Sequence, residues 1–218
     1  MKFDQLVNEI LMPQKNNLIV IFPGRFQPFH LGHKRFYDLA KKKFPGADFY
    51  IASSDIPEKA ATKEPGRYPF NFAEKKAIMI AAGIPEKEIV QVKQPYKPIE
   101  ILKDYDQNFA KVIYIVGEKD MKKDPRFAFG MTKKGTPTYF QPFKSLNELQ
   151  PFKEDGGHGY IYSPGTIEFN VNGKNITSAS ELRELYKNSN EQSKKEIITQ
   201  ILGKFDTKIY NLFNAKII

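Results

Sequence analysis

The chain has 218 residues, of which 40% are hydrophobic and 27% charged, a balance typical of a folded protein and not of a disordered or collagen-like chain. It contains no cysteine, which excludes disulfides, thiolate catalysis and cysteine-based zinc sites. The net charge of +9 attracts anions, but the basic residues are scattered in twos and threes, which does not favour specific binding of nucleic acid.

The first 17 residues read as a short amphipathic helical extension. Asp4 and Glu9 lie within its apolar pattern, which is not typical of a signal peptide. The longest apolar run, 77–84, is far shorter than the roughly 20 residues needed to span a bilayer. We therefore expect a cytoplasmic protein that makes no use of a membrane.

From residue 18 onward, apolar runs of strand length alternate with amphipathic segments of helical length. Strands are predicted at 18–22, 49–52, 89–92 and 112–116, and helices at 31–44, 72–82 and 99–109. This alternation predicts βαβ units around a parallel sheet. Right-handed crossovers then make the fold α/β, with a Rossmann-like doubly wound parallel sheet.

The second half of the chain is less regular. Residues 118–152 are rich in Pro, Gly, Lys and Phe and are predicted to form an irregular insertion. A strand pair follows at 160–162 and 167–171, with Asn-Gly-Lys at 172–174 as a turn signal, and then two or three helices over 178–213. We predict one domain over 18–186, with a C-terminal helical tail at 187–218.

The stretch "PGRFQPFHLGH" joins the first strand to the first helix and holds two of the three histidines, His30 and His33. Three residues apart on a helical turn, their imidazoles point the same way. A helix N-terminus after a strand binds anions through its free N–H groups, and Gly24 lets the backbone turn tightly and a ligand come close. The residues therefore predict a phosphate cradle.

Two other readings of the histidine pair remain open. The pair could bind a metal ion, but a zinc site needs three or four protein ligands and only His158 remains. Both histidines could instead be structural, although their clustering in one Gly/Pro-rich turn speaks against coincidence. We expect no metal held by the protein alone.

The segment "GRFQPFHLGH" resembles the His-x-Gly-His signature of the nucleotidyltransferase superfamily, which includes cytidylyltransferases, nicotinamide mononucleotide adenylyltransferases and pantetheine-phosphate adenylyltransferases. The resemblance implies that His30 and His33 contact a triphosphate. By the same resemblance, Gly24, Arg25 and Phe26 belong to the nucleotide-binding loop, with Arg25 near the outer phosphates.

A second block, "ITSASELRELY" at 176–186, is similar to a late motif of that superfamily, in which hydroxyl residues and an arginine open a helix. The resemblance implies that Ser178, Ser180 and Arg183 hold the outer phosphates, Arg183 as a catalytic cation, and that Ile176 lies near the base. Ser178 and Glu181 also fit a capping box, and both roles are compatible.

Two further segments extend the resemblance. "YPFNFAEKKAIMI" at 68–80 is similar to a segment of archaeal-type nicotinamide mononucleotide adenylyltransferases, with Lys75 where arginine is usual; an ordinary amphipathic helix explains it as well. "VIYIVGEKD" resembles a turn that lines the nucleotide pocket, which implies a nucleotide-binding role for Gly117 and Asp120.

The resemblance implies transfer of a nucleoside monophosphate, first of all AMP from ATP, to a small phosphorylated acceptor such as nicotinamide mononucleotide, with release of pyrophosphate. Mg²⁺ would be carried by the substrate phosphates. A cytidylyltransferase using CTP and a phosphorylated alcohol or sugar is the alternative within this class. A non-catalytic basic module that binds nucleic acid is the alternative from another class, and assembly into a homo-oligomer stays open.

Overall fold

A computed structural model describes residues 16–56, 65–152, 158–166 and 169–217. The predicted N-terminal helix over 1–17 lies outside these ranges except for Asn16 and Asn17, which are not helical. The strands are β1 (Leu18–Pro23), β2 (Asp48–Ser53), β3 (Ile89–Gln91), β4 (Lys111–Ile115), β5 (Phe140–Pro142), β6 (Gly159–Tyr162), β7 (Phe169–Val171) and β8 (Lys174–Ile176). The helices are α1 (Leu31–Lys43), α2 (Phe72–Ala81), α3 (Ile99–Leu102), α4 (Glu118–Lys123), α5 (Ala179–Lys187), α6 (Glu191–Leu202) and α7 (Thr207–Lys216).

Strands β1 to β6 form one sheet in the order β3-β2-β1-β4-β6-β5, and every pairing in it is parallel. The chain builds outward from β1 through β2 to β3 and then returns to place β4 on the other side of β1. This arrangement confirms the predicted Rossmann-like doubly wound sheet. The reversal makes a crevice beyond the carboxyl ends of β1 and β4, which is where such sheets bind ligands.

The sheet is covered on both faces, as the unbroken apolar sequence of β1 predicts. Ile19 and Ile21 pack on the face covered by α3 and α4, whereas Val20 and Phe22 pack on the face covered by α1, α2 and the three C-terminal helices. All four side chains are almost fully buried. The central strand is thus held rigidly, and it presents its carboxyl end to the crevice.

Side chains cap the N-termini of several helices. Asn71 caps α2 by accepting from the Glu74 N–H at 2.9 Å, while the Glu74 carboxylate accepts from the Asn71 N–H at the same distance. Ser178, Asn190 and Asp206 cap α5, α6 and α7. The prediction of two or three helices after residue 178 is confirmed. Within the described ranges, no helix is long and apolar enough to cross a membrane.

Two predicted segments differ from the structure. The helix predicted over 99–109 ends at Leu102, and the Asp106 carboxylate then accepts from the Asn108 N–H at 2.8 Å, a local bond that competes with helix continuation. The segment predicted as irregular, 118–152, begins with α4 and contributes the edge strand β5. β5 has the sequence Phe-Gln-Pro and lacks the apolar run that marks β3, so the sequence does not predict it.

The strand pair predicted at 160–162 and 167–171 is wrong as a pairing. β6 lies inside the large sheet between β4 and β5, and β7 pairs instead with β8 in an antiparallel hairpin. The turn of this hairpin is Asn172-Gly173, with φ of 48° and 76°, the left-handed conformation that an Asn-Gly turn requires. The turn at Asn172-Gly173 was therefore predicted correctly. The predicted pairing of β6 with β7 was wrong, because tertiary packing decides which strands pair.

Candidate functional site

The loop between β1 and α1 forms the floor of the candidate site. The Gly24 N–H donates to the Ala52 carbonyl oxygen of β2 at 3.0 Å. Phe26 has φ of 46° and folds its ring over Gly24, where an added Cβ would lie 2.6 Å from a ring atom. The structure thus explains why residue 24 is a glycine: without a side chain, its backbone leaves room for the Phe26 ring. The sequence alone did not show this role.

Gln27, which the sequence did not single out, joins this loop to the segment before α2. Its Nε2 donates to the Phe70 carbonyl oxygen at 2.7 Å, and its Oε1 accepts from the Phe70 N–H at 3.0 Å. Both bonds are buried, and the Gln27–Pro28 peptide bond is cis. The loop and the start of α2 are therefore held together on one side of the site.

His30 and His33 lie at the start of α1 with their rings in close, tilted contact. The ring centroids are 3.7 Å apart, and the ring of Phe169 from β7 stacks on His30 at 4.3 Å. The His33 ring also contacts Phe26 and Phe29, at 5.1 and 5.3 Å between centroids. The Nδ1 atoms of both histidines are buried without a hydrogen-bond partner. Packing thus fixes both imidazoles and leaves the Nδ1 atom of each ring without a hydrogen bond.

Burial keeps both rings neutral at pH 7. It lowers the pKa of His33 to about 3, and burial together with the neighbouring His33 lowers the pKa of His30 well below its usual value. A neutral imidazole carries one donor and one acceptor nitrogen, so each ring can donate one hydrogen bond to an anion without bringing a charge of its own.

The start of α5 forms the opposite wall. The Ser178 Oγ caps the helix by accepting from the Glu181 N–H at 3.2 Å. The Glu181 carboxylate accepts from the Thr177 N–H at 2.8 Å, so the reciprocal bond of the expected capping box reaches one residue further back. Arg183 donates from Nη1 to the Gln27 carbonyl oxygen at 2.5 Å and from Nη2 to the Ser180 Oγ at 3.2 Å. Arg183 thereby ties the late motif to the histidine loop.

The turn after β4 supplies the third side. Gly117 starts α4 in an extended conformation, and the Glu118 N–H donates to the Gly165 carbonyl oxygen at 2.9 Å. Gly117, Lys119 and Asp120 face the site from this turn. The carboxyl ends of β1 and β4 therefore both contribute residues, as expected at the reversal of strand order.

These three sides enclose a cavity of about 340 Å³. Of the residues predicted from the sequence, those that line it are Arg25, Phe26, His30, His33, Gly117, Asp120, Ser178, Ser180 and Arg183. Gly24 and Ile176 do not line it, although each is next in the chain to a lining residue, and Gly24 makes room for the Phe26 ring. The lining residues that sequence reasoning missed are Gln27, Arg67, Tyr68, Lys119, Thr177 and Ala179. Two larger and more open surface grooves contain none of the predicted residues.

The charge of the cavity lining is strongly positive. Arg25, Arg67, Lys119 and Arg183 line the cavity, against the single carboxylate of Asp120. Burial lowers the pKa of Arg183, and the Glu184 carboxylate opposes this effect. The positive charge of Arg67 lowers the pKa of Arg183 further, because two like charges lie close together. Such a cavity favours a polyanionic ligand.

The segment at 68–80 contributes mainly to structure. Phe70 and Lys75 are buried, and Glu74 belongs to the cap of α2. Lys75 Nζ donates to Ser53 Oγ at 2.9 Å and to the Ser54 carbonyl oxygen, and burial lowers the pKa of Lys75 to about 8. Lys75 therefore anchors α2 to the carboxyl end of β2 and does not line the cavity.

Metal ligands are scarce at the site. Within the described ranges, no group of three or more His, Asp or Glu side chains is placed to hold a metal ion. The cavity offers Asp120 and the two neutral histidines. These residues fit a divalent cation that arrives on a phosphate ligand better than one held in a protein cage.

A doubly wound parallel sheet with a positively charged cavity at its strand reversal is the architecture of nucleotide-binding α/β proteins. Residues 21–185 match the family model described as cytidylyltransferase-like, and the chain belongs to this family of nucleotidyltransferase enzymes. The resemblance drawn from the histidine signature is thereby confirmed. No curated protein sequence matches the chain.

Two solved structures from Francisella tularensis are similar in fold. One is a bifunctional NMN adenylyltransferase/ADP ribose pyrophosphatase, with a TM-score of 0.48 and 18% identity. The other is such an enzyme complexed with AMP and a Mn ion, with a TM-score of 0.45 and 18% identity. Each match covers 90% of this chain and 48% of the other, so this chain spans about half the length of those proteins.

Proposed function

We propose that this chain transfers a nucleoside monophosphate from a nucleoside triphosphate to a small phosphorylated acceptor and releases pyrophosphate. One observation carries the proposal. The two histidines in contact, the start of α5 and four cationic side chains all line the same cavity. Helix N-termini and guanidinium groups are the usual protein partners of polyphosphates. The shape and charge of the cavity suit a bound triphosphate.

The chemistry needs little from the protein beyond alignment. An acceptor phosphate oxygen attacks the α-phosphorus, a new P–O bond forms, and the bond from the α-phosphorus to the bridging oxygen breaks, so that pyrophosphate leaves with the electron pair. The attacking phosphate is already anionic at pH 7 and needs no general base. Ser178 caps α5 and is not paired with a histidine as an activated nucleophile would be. Catalysis therefore rests on positioning and charge stabilisation.

We propose these roles from the resemblance of the two motifs, and the shared cavity supports them. His30 and His33 donate hydrogen bonds to the triphosphate from the start of α1, with His33 nearest the α-phosphate. Arg25 and Arg183 hold the outer phosphates together with the hydroxyl groups and N–H groups at the start of α5. Arg183 is already fixed by the Gln27 carbonyl oxygen and Ser180 Oγ, which lowers the entropic cost of binding.

Mg²⁺ fits this site as a companion of the nucleotide. Its chemistry would be to neutralise charge on the phosphate oxygens during transfer. Asp120 is the carboxylate of this chain that faces the cavity and is placed to contact a bound cation or its water. The arginines and histidines bind the remaining phosphate oxygens.

We place ATP and nicotinamide mononucleotide first among the substrates, because the segment at 68–80 resembles the adenylyltransferase motif and forms a wall of the cavity through Tyr68. CTP with a phosphorylated alcohol or sugar is the second candidate, favoured by the family match. We propose that the backbone at 117–120 and next to Ile176 distinguishes the two bases.

A substrate matrix tests the proposal. The four nucleoside triphosphates are each combined with a panel of phosphorylated acceptors and Mg²⁺, and pyrophosphate is measured. We expect release with one nucleotide and a defined acceptor, loss of release in His33→Ala, and retention in His158→Ala, which removes a buried histidine outside the cavity. Silence across the whole matrix with a folded chain would refute the proposal. Steeply salt-dependent binding of DNA or RNA in that case would support the basic binding module instead.

A further inference from the structure

The Tyr68 ring lies close to two of the cationic side chains that line the cavity. The guanidinium carbon of Arg25 lies 5.6 Å from the centroid of the Tyr68 ring, and that of Arg67 lies 5.7 Å from it. The Tyr68 hydroxyl oxygen also accepts a hydrogen bond from Arg25 Nη1 at 2.6 Å. All three residues line the cavity; Arg25 belongs to the histidine signature, whereas Arg67 and Tyr68 belong neither to it nor to the late motif.

Two guanidinium groups near one ring repel each other. Their carbons are no more than about 11 Å apart, which is comparable to the Debye length at moderate salt, so the repulsion is only partly screened. The negative face of an aromatic ring attracts both cations, and a phenol oxygen gives Arg25 a directed partner that carries no negative charge. Unlike a carboxylate, Tyr68 orients the cations without neutralising them.

The position of Tyr68 is itself fixed. Two residues further along the chain, Phe70 is held by both side-chain atoms of Gln27, which lies two residues from Arg25. The two segments that carry Tyr68 and Arg25 are thus joined by a buried pair of hydrogen bonds close to both residues. The ring has a defined place relative to the histidine loop, and the guanidinium groups take their orientation from it.

We propose that Tyr68 is a positioning residue that holds Arg25 and Arg67 on one wall of the cavity as a preformed pair of contacts for a linear polyphosphate. It acts through the two arginines and does not touch the reacting atoms. The inference rests on the proposed function, because it takes the triphosphate of a nucleotide to be the ligand of this wall. Preorientation of this kind raises affinity by reducing the ordering that binding requires.

The experiment measures binding of inorganic tripolyphosphate by calorimetry, which depends on neither base nor acceptor. Tyr68→Phe removes the hydroxyl contact with Arg25 and keeps the ring, so we expect affinity to fall about threefold to tenfold. Tyr68→Leu also removes the ring face, and we expect at least a further threefold loss. Tyr50→Phe is the matched control: it removes a phenol hydroxyl that bonds to Tyr105 at 2.7 Å outside the cavity, and it should bind as the unchanged chain does.

A double-mutant cycle with Arg25 separates positioning from general damage. In an Arg25→Met background, Tyr68→Phe should weaken binding by less than twofold, because the hydroxyl then has no guanidinium to orient. Unchanged affinity in Tyr68→Phe, or an equal loss in both backgrounds, would overturn the proposal. If Tyr68→Leu fails to fold, Tyr68→Phe and the cycle decide alone.

The outcome also separates this inference from the proposed function. If the chain releases no pyrophosphate in the substrate matrix, nucleotidyl transfer is refuted. If the variants of that chain nevertheless bind tripolyphosphate with the expected ranking of affinities, the role of Tyr68 is supported. An active chain in which Tyr68→Phe binds tripolyphosphate normally would refute the role of Tyr68 alone.

Discussion

The stability of the folded chain in mild acid should depend on His33. In the folded state burial lowers the pKa of His33 to about 3, whereas in the unfolded chain it is near 6.5. As the pH falls through 6.5, the unfolded chain takes up a proton at this position and the folded chain does not. The contribution is therefore fully present above pH 6.5 and is lost progressively down to about pH 3. The substitution His33→Gln removes this pH-dependent contribution to stability.

The magnitude follows from the width of that interval. One proton bound only by the unfolded state changes the free energy of unfolding by about 1.4 kcal/mol per pH unit. Between pH 6.5 and 4.5 the upper limit is about 2.7 kcal/mol for His33. Because part of the His33 ring faces the cavity and is open to water, we expect about 2 kcal/mol.

Urea unfolding of the unchanged chain and His33→Gln, at half-unit steps from pH 4.5 to 7.5, measures this difference. Carboxylates titrate in both proteins and cancel when one curve is subtracted from the other. We expect the unchanged chain to lose about 2 kcal/mol more than the variant between pH 6.5 and 4.5. Parallel curves would refute the argument, since they would mean that folded His33 titrates like an exposed histidine.

Three further changes test the site. His33→Ala should lower turnover by two to three decades, because loss of one preorganised donor costs about 3 to 4 kcal/mol, and a rate above a tenth of normal would remove His33 from the catalytic role. Gly24→Ala places a Cβ 2.6 Å from the Phe26 ring and should lower the free energy of unfolding by about 1 to 3 kcal/mol in urea; a change below about 0.5 kcal/mol would show that the loop relaxes freely. Phe169→Leu removes the ring stacked on His30 and should raise the pKa of that histidine in an NMR titration, whereas an unchanged titration would assign its low pKa to other neighbours.

The sequence contained enough to predict the architecture and most of the candidate site. Continuous apolar runs such as 18–22 and 112–116 are strong signals because strands buried on both faces admit few polar residues. The histidine motif predicted four of the residues that line the cavity, the late motif three and the turn at 117–120 two, because the residue types and spacing of these segments are specific. The roles of these residues, and the division into a domain at 18–186 with an extension and a tail, remain predictions.

Short elements escaped sequence analysis for a physical reason. β5 (Phe-Gln-Pro) and β8 (Lys-Asn-Ile) are short and contain no run of apolar residues, so no pattern distinguishes them from a loop. Arg67 precedes the motif at 68–80 and carries no pattern of its own. Tyr68 begins that motif, but the motif does not show that its side chain lines the cavity. The two hydrogen bonds between Gln27 and Phe70 join this segment to the histidine loop.

The sequence by itself determined the βαβ order and the helix starts near residues 31, 72 and 99, because these depend on local pattern and capping chemistry. The resemblance of two motifs to one family linked the histidine turn with the distant hydroxyl-rich helix start. Only the tertiary structure decided that Phe169 would stack on His30 and that Arg183 would bond to the Gln27 carbonyl oxygen, 156 residues away in the chain. Contacts at such separations depend on how the helices and the β7–β8 hairpin pack over the sheet. The low pKa of the histidine pair follows from that packing, and so do the shape and charge of the cavity.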